Sequence, residues 1–243
     1  MTLLSVEAVV KTFAGVVALD QVSFNVAEGE LVGIMGANGA GKTTLFSVIA
    51  GNLRVNDGSI TFDGQRIDGL RPDRISRRGV ARTFQIVRPF GNMTVLENVM
   101  LGVLYGRRRE RSAAVAKFRA GEILERLGLS DRAQQLAKHL TLAGRKRLEI
   151  ARGLATEPRL LLLDEVLAGL TPNEAAAATE VVREFHRSEK LTILMIEHVT
   201  RALMALSQKI IVLHHGQKIF EGTSLEVAND PRILSVYLGP AKQ

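Results

Sequence analysis

Hydrophobic and polar positions follow two periods along this chain, and the changes between them mark out its elements. Residues 3 to 27 read as strands: Val22, Phe24 and Val26 alternate with Ser23 and Asn25, the period of a half-buried strand. AEGE at 27–30 makes a turn. LVGIM at 31–35 is a short apolar strand, followed by a glycine-rich loop and then a predicted helix over 42–50. GSITFDG at 58–64 is another short strand, ending in an Asp-Gly turn. From about 94 to 157 the spacing becomes helical, as in Val115, Phe118, Leu124 and Leu127. Arg159 to Leu163 reads as strand. TPNE at 171–174 then opens a helix: Thr171 caps it, Pro172 suits its first position and Glu174 completes a capping box. LTILMI at 191–196 is a buried strand. IIVL at 210–213 and KIFEG at 218–222 flank a hairpin turn, and Thr223 with Glu226 supplies a second capping box.

Strands alternating with helices at both ends of the chain predict an α/β fold with a mainly parallel sheet and helices on its faces. The helical middle interrupts that alternation and reads as an inserted lobe. With 243 residues, of which 46% are hydrophobic, the chain can bury a sizeable core as one large domain with such an insertion. The absence of cysteine excludes disulfides, thiolate metal sites and a cysteine nucleophile. Aromatics at 5%, with no tryptophan, supply a poor stacking platform for nucleic acid. The first residues carry no basic stretch ahead of an apolar one, and no apolar run approaches the roughly 20 residues that cross a bilayer. The expectation is a soluble chain made in the cytoplasm. The net charge of +7 is partly concentrated in GRRRER at 106–111. That run suits nucleic acid, an anionic membrane face or a solvated helix start, and charge alone does not choose among them.

Candidate chemistry starts with GANGAGKT at 36–43, which matches G-x-x-x-x-G-K-[ST] at every fixed position. An apolar strand precedes it and a helix follows, as the motif requires. Gly36, Gly39 and Gly41 let the backbone of Ala37, Asn38 and Ala40 bend so that N–H groups point inward at phosphate oxygens. The helix that begins with Lys42, Thr43 and Thr44 adds the positive end of its dipole. In this arrangement Lys42 reaches the β- and γ-phosphates and the Thr43 hydroxyl ligates Mg²⁺.

A second signal is LLLLDE at 160–165. Two carboxylates at the mouth of an apolar strand are costly unless something positive or reactive sits against them. In a phosphate-loop protein an apolar strand ending in Asp supplies a further magnesium contact, a role that Asp164 fits. Glu165 is then placed to accept a proton from a water that attacks the γ-phosphate. The simpler alternative is a strand end followed by a solvated turn.

Four further stretches follow in order: RTFQ at 82–85, LTLAGRKRLEIARGLA at 140–155, AGLTP at 168–172 and IEH at 196–198. Together with the phosphate loop they resemble the nucleotide-binding subunit of ABC transporters over nearly the whole chain. KTFAGVVALDQVSF, GVARTFQIVRPFGNMTVLENV and the terminal VYLG look like the ATPase subunits of branched-chain amino acid importers. The resemblance implies a single ABC-type domain over 1–243: a P-loop core, an antiparallel β-subdomain and a helical subdomain at about 94–157. It implies that Phe13 stacks on adenine and that His198 holds the γ-phosphate. Gln85 would contact Mg²⁺ and the attacking water and link to the membrane subunits.

ATP and Mg²⁺ are the implied cofactors. The implied partners are transmembrane permease subunits, a second ABC ATPase subunit, identical or different, and indirectly a periplasmic or extracellular solute-binding protein; no nucleic acid is expected. The implied location is peripheral, on the cytoplasmic face of the inner membrane. Each ATP would lie between one subunit's phosphate loop and the other's signature loop.

The sequence departs from the family at two places. The signature loop, usually Leu-Ser-Gly-Gly-Gln, aligns with Leu140, Thr141, Leu142, Ala143 and Gly144. Thr141 keeps a hydroxyl that can cap the helix, but the glycine pair is lost, which predicts weaker hydrolysis at the nucleotide facing this loop. Thr171 stands where an aspartate is common. The leading reading is an ATPase that powers import of branched-chain or other aliphatic amino acids or amides. The alternatives are a lipopolysaccharide-export ATPase, a soluble ATPase acting on nucleic acid or ribosomes, and a P-loop kinase.

Overall fold

The computed structural model describes residues 1–83, 89–197, 200–231 and 233. Its elements in chain order are β1 (Thr2–Phe13), β2 (Val16–Ala27), β3 (Leu31–Met35), α1 (Lys42–Ile49), β4 (Asp57–Phe62), β5 (Gln65–Arg66), α2 (Pro72–Arg78), β6 (Val80–Arg82) and α3 (Val95–Tyr105). Then come α4 (Ala113–Arg126), α5 (Leu142–Ala155), β7 (Leu160–Asp164), α6 (Pro172–Glu189), β8 (Thr192–Ile196), α7 (Thr200–Leu206), β9 (Lys209–His214), β10 (Gln217–Gly222) and α8 (Ser224–Asn229). The chain forms two compact units, one of residues 1–70 with 194–243 and one of residues 71–193.

In the first unit the alternation of β2 is realised: Val22, Phe24 and Val26 are buried while Gln21, Ser23, Asn25 and Ala27 are exposed. An antiparallel register, Val6 opposite Phe24 and Val9 opposite Val22, gives β1 the same inward face. The sheet runs β2-β1-β4-β5, every pair antiparallel, as the resemblance led one to expect of the β-subdomain. β3 is buried at all five residues and lies parallel to β9, with Gly33 opposite Ile210. The β9–β10 hairpin turns at His214–Gln217, where the sequence placed it. β3 thus ends against a buried strand and delivers the chain into the glycine loop from a fixed point.

The second unit holds the helical middle. α3 begins with a capping box that the hydrophobic pattern did not signal: Thr94 accepts from the Glu97 N–H, and Glu97 accepts from the Thr94 N–H. Buried Asn98 reinforces that start, donating to the carbonyls of Phe90 (3.0 Å) and Thr94 (2.9 Å) and accepting from the Phe90 N–H (2.9 Å). The expected capping box at Thr171 and Glu174 is present. In the first unit the box at Thr223 and Glu226 is present as well. Helix α2 escapes any periodicity argument, because Ile75 is its one buried residue among PDRISRR. β6 lies parallel to β7, with Arg82 opposite Leu162. β7 runs one residue beyond the expected end and so contains Asp164 itself.

Candidate active site: a phosphate loop and an acidic strand end

In the first unit the loop leaves β3 at Gly36, where a Cβ would sit 2.6 Å from the carbonyl oxygen of Leu213. No side chain fits there. Gly41 has φ 101°, and a Cβ on it would meet the Ala18 carbonyl oxygen at 2.5 Å. The loop therefore needs glycine at both ends, at one for space and at the other for backbone conformation as well. Between them Ala37, Asn38 and Gly39 are exposed and Ala40 is buried. Helix α1 starts at Lys42 with no side-chain cap and no acidic residue in its first turn. Its leading amides face an end with positive potential and no built-in anion.

Lys42 is buried, and its ammonium donates to the carbonyls of Gly36 (2.7 Å) and Ala37 (3.0 Å). The charge is thereby folded onto the loop it would serve. Thr43 is exposed and Thr44 half-buried. Phe13, at the end of β1, is 42% exposed, with the Lys11 ammonium 5.0 Å from its ring centroid. It is therefore not a core residue.

In the second unit Asp164 is fully buried at the end of β7. Its Oδ2 accepts from Arg82 Nη2 at 2.8 Å. Its N–H donates to Thr83 Oγ1 at 3.0 Å, and the Thr83 N–H donates to the Leu162 carbonyl at 2.9 Å. Its Oδ1 is buried with no hydrogen-bond partner. Burial pushes the Asp164 carboxyl above the usual aspartate range, the Arg82 hydrogen bond and charge pull it down, and the neighbouring Glu165 raises it further.

Glu165 is also buried and takes a left-handed conformation, φ 51°, uncommon for a residue with a Cβ. Its carbonyl accepts from the Lys146 ammonium at 2.7 Å. Lys146 lies on α5, so that helix is pinned to the main chain at the acidic strand end. At the head of α5 Thr141 accepts from the Gly144 N–H at 3.2 Å, the cap expected of it. Leu142 is exposed, Ala143 half-buried and Gly144 buried.

Of the expected site residues, Gln85 and His198 lie outside the described residues. Residues 36–44 form one loop and helix start. Asp164 and Glu165 form one acidic end, with Thr141–Gly144 on the helix that reaches it. Three contributors were not read from the sequence: Arg82 and Thr83, which hold Asp164, and Lys146, which holds the Glu165 carbonyl. Arg82 and Thr83 meet Asp164 only through the β6–β7 register. The spacing of Lys146 on α5 does carry a signal: a lysine amid Leu148, Ala151 and other buried positions needs an acceptor.

The pattern of the ABC transporter family matches residues 19–168, from β2 to just past the acidic strand end. The chain belongs to the ABC transporter family. It is 38% identical over 251 residues to the high-affinity branched-chain amino acid transport ATP-binding protein LivG of Salmonella typhimurium, with 98% of each chain covered. Among solved structures it is similar to the ADP conformation of an ATP-binding cassette of an ABC transporter, with TM-score 0.88 and 32% identity, covering 99% of this chain and 100% of that one. It is also similar to a dimeric post-hydrolysis ATP-binding cassette bound to ADP and Pi, with TM-score 0.83 and 25% identity, covering 91% and 98%. The fold is that of an ABC nucleotide-binding domain, and this ABC protein is a nucleotide-binding ATPase. Among the described residues no helix is long and apolar enough to cross a membrane.

Proposed function

We propose that this chain is the ATP-hydrolysing subunit of an importer of branched-chain or related aliphatic amino acids. The observation that carries the reading is its end-to-end likeness to LivG. It works as one ABC domain, with residues about 94–157 as the helical part that meets transmembrane permease subunits. A second ATPase subunit completes the pair at the cytoplasmic face of the inner membrane, and a solute-binding protein delivers cargo from the other side.

The exposed amides of Ala37 to Gly39 and the uncapped start of α1 bind the β- and γ-phosphates. Lys42 exchanges its two loop carbonyls for phosphate oxygens, and Phe13 stacks on adenine. Asp164 Oδ1, buried and without a hydrogen-bond partner, is an acceptor that fits a divalent cation. With the Thr43 hydroxyl and Gln85 it would hold Mg²⁺, which when bound neutralises charge developing on the phosphates. Glu165 takes the proton of the attacking water and His198 contacts the γ-phosphate. Thr141, Ala143 and Gly144 of one copy approach the γ-phosphate bound to the other. ATP therefore favours the closed pair through contacts available only there. Turning a one-percent state into the dominant one takes a preference of about 5.5 kcal/mol.

The Glu165→Gln variant tests this reading by size-exclusion chromatography with Mg²⁺-ATP and by phosphate release. The expected outcome is a stable ATP-bound dimer with turnover lost, while Lys42→Ala binds no ATP. Unchanged turnover in Glu165→Gln refutes the assignment of the base. Recovery of ribosomes instead of permeases with the tagged chain from solubilised membranes refutes the transport role.

A further inference from the structure

The positive charge of this chain is not spread evenly. Residues 71–193 hold 23 Lys and Arg against 14 Asp and Glu, a net +9, and the remainder of the chain is net −2. Within that unit the excess is densest where α3 passes into α4. Arg107, Arg108, Arg109 and Arg111 lie on the connecting loop, and Lys117 and Arg119 on the first turns of α4.

The loop is built rather than slack. The Arg107 N–H donates to the Thr156 carbonyl (3.1 Å) and its Nε to the Glu157 carbonyl (2.9 Å). The Glu157 carboxylate takes Arg108 (2.8 Å) and Arg119 (2.9 Å). Glu110 accepts from the backbone N–H groups of Arg111 and Ser112, so it braces the turn. Ser112 caps α4 through the Val115 N–H. Two carboxylates thus stand against six cations, and Arg109 and Arg111 are exposed.

Large apolar side chains are exposed on the same stretch. Tyr105, the last residue of α3, is 73% exposed; on α4 Phe118 is 67% and Val115 39% exposed. Val115 and Phe118 are three apart and share one face of the helix. Exposed rings set among exposed cations fit a surface that offers phosphate outside and hydrocarbon just beneath. An acidic protein face would use the charges and leave the rings without a role.

We propose that residues 105–119 form a contact surface for the anionic phospholipid headgroups of the membrane, with arginines on the phosphates and Tyr105, Val115 and Phe118 set into the headgroup boundary. The surface gives this peripheral subunit a hold on the bilayer that is separate from any permease, and it involves none of the nucleotide-binding residues.

The test is flotation of the purified full chain with vesicles of phosphatidylcholine alone or mixed equally with phosphatidylglycerol. The chain should float with the mixed vesicles only, and addition of about 0.5 M salt should release it. Each basic residue near such a surface changes partition by about fivefold, so the Arg109→Gln, Arg111→Gln, Lys117→Gln triple variant should bind about a hundredfold more weakly. Tyr105→Ser with Phe118→Ser should also weaken binding to the mixed vesicles. All variants should bind a fluorescent ATP analogue as the parent does, which shows that they are folded and separates this test from the ATPase reading. Equal flotation with both vesicle types, or a triple variant that floats like the parent, overturns the proposal. So does a triple variant that keeps its vesicle binding but no longer co-purifies with permease subunits, since the patch is then a protein-docking face.

Discussion

Replacing Arg82 by Met probes the acidic strand end most directly. Arg82 is 8% exposed and Asp164 is not exposed at all, so their 2.8 Å contact has almost no solvent screening. Removing one partner of such a pair leaves a buried charge without compensation, a loss of about 3–5 kcal/mol. For a chain of this size each kcal/mol lowers the melting temperature by about 2–4 °C, which predicts a fall of about 6–20 °C. Urea unfolding followed by circular dichroism measures the free energy.

The pH dependence of that loss has a defined sign. Burial already raises the Asp164 carboxyl, and Arg82 is the largest influence lowering it. A group whose folded pKa is raised contributes stability that is complete below its unfolded pKa and is lost as pH rises through the folded value. Without Arg82 the folded value rises further. The deficit of Arg82→Met should therefore be largest near neutrality and shrink as pH falls toward the ordinary aspartate range. Adding Asp164→Leu should recover most of the stability, because it replaces the stranded charge by apolar volume. A loss below about 1 kcal/mol at neutral pH, or a double variant no more stable than Arg82→Met, refutes the reasoning.

Two smaller predictions accompany it. Gly41→Ala should lose nucleotide binding and about 2 kcal/mol or more of stability, because φ 101° and a carbonyl oxygen 2.5 Å from the new Cβ both oppose it; calorimetry with an ATP analogue reads both. Thr141→Ala removes the acceptor for the Gly144 N–H at the head of α5 and should cost about 1 kcal/mol in urea unfolding, whereas Thr141→Ser should recover most of it.

Much of this molecule was legible because its signals are local. A glycine loop between an apolar strand and a helix, a polar cap three residues ahead of a glutamate, and the alternation of Val22, Phe24 and Val26 each act within a few residues. Thr171 with Glu174 and Thr223 with Glu226 were placed on that basis and are present. The partners of Asp164 were not legible, because Arg82 is 82 residues away and reaches it only through the parallel register of β6 with β7. α2 was missed for the opposite reason: one buried residue gives no period, and the helix rests on Pro72 at its start and Gly79 beyond its end. Phe13 could have belonged to the core or to a ligand, and its 42% exposure takes it out of the core.

The bond from Lys146 to the Glu165 carbonyl has a mechanical consequence. In the proposed pair one end of α5 would offer Thr141 and the amides beyond it to a neighbouring copy, and little more than one turn in, the same helix grips the carbonyl of the proposed base. A tilt imposed at the tip by such a neighbour would be levered onto the peptide that sets the direction of the Glu165 side chain. Arrival of the second subunit and readiness for chemistry would then be one movement, so that ATP is spent only when there is a partner to push against.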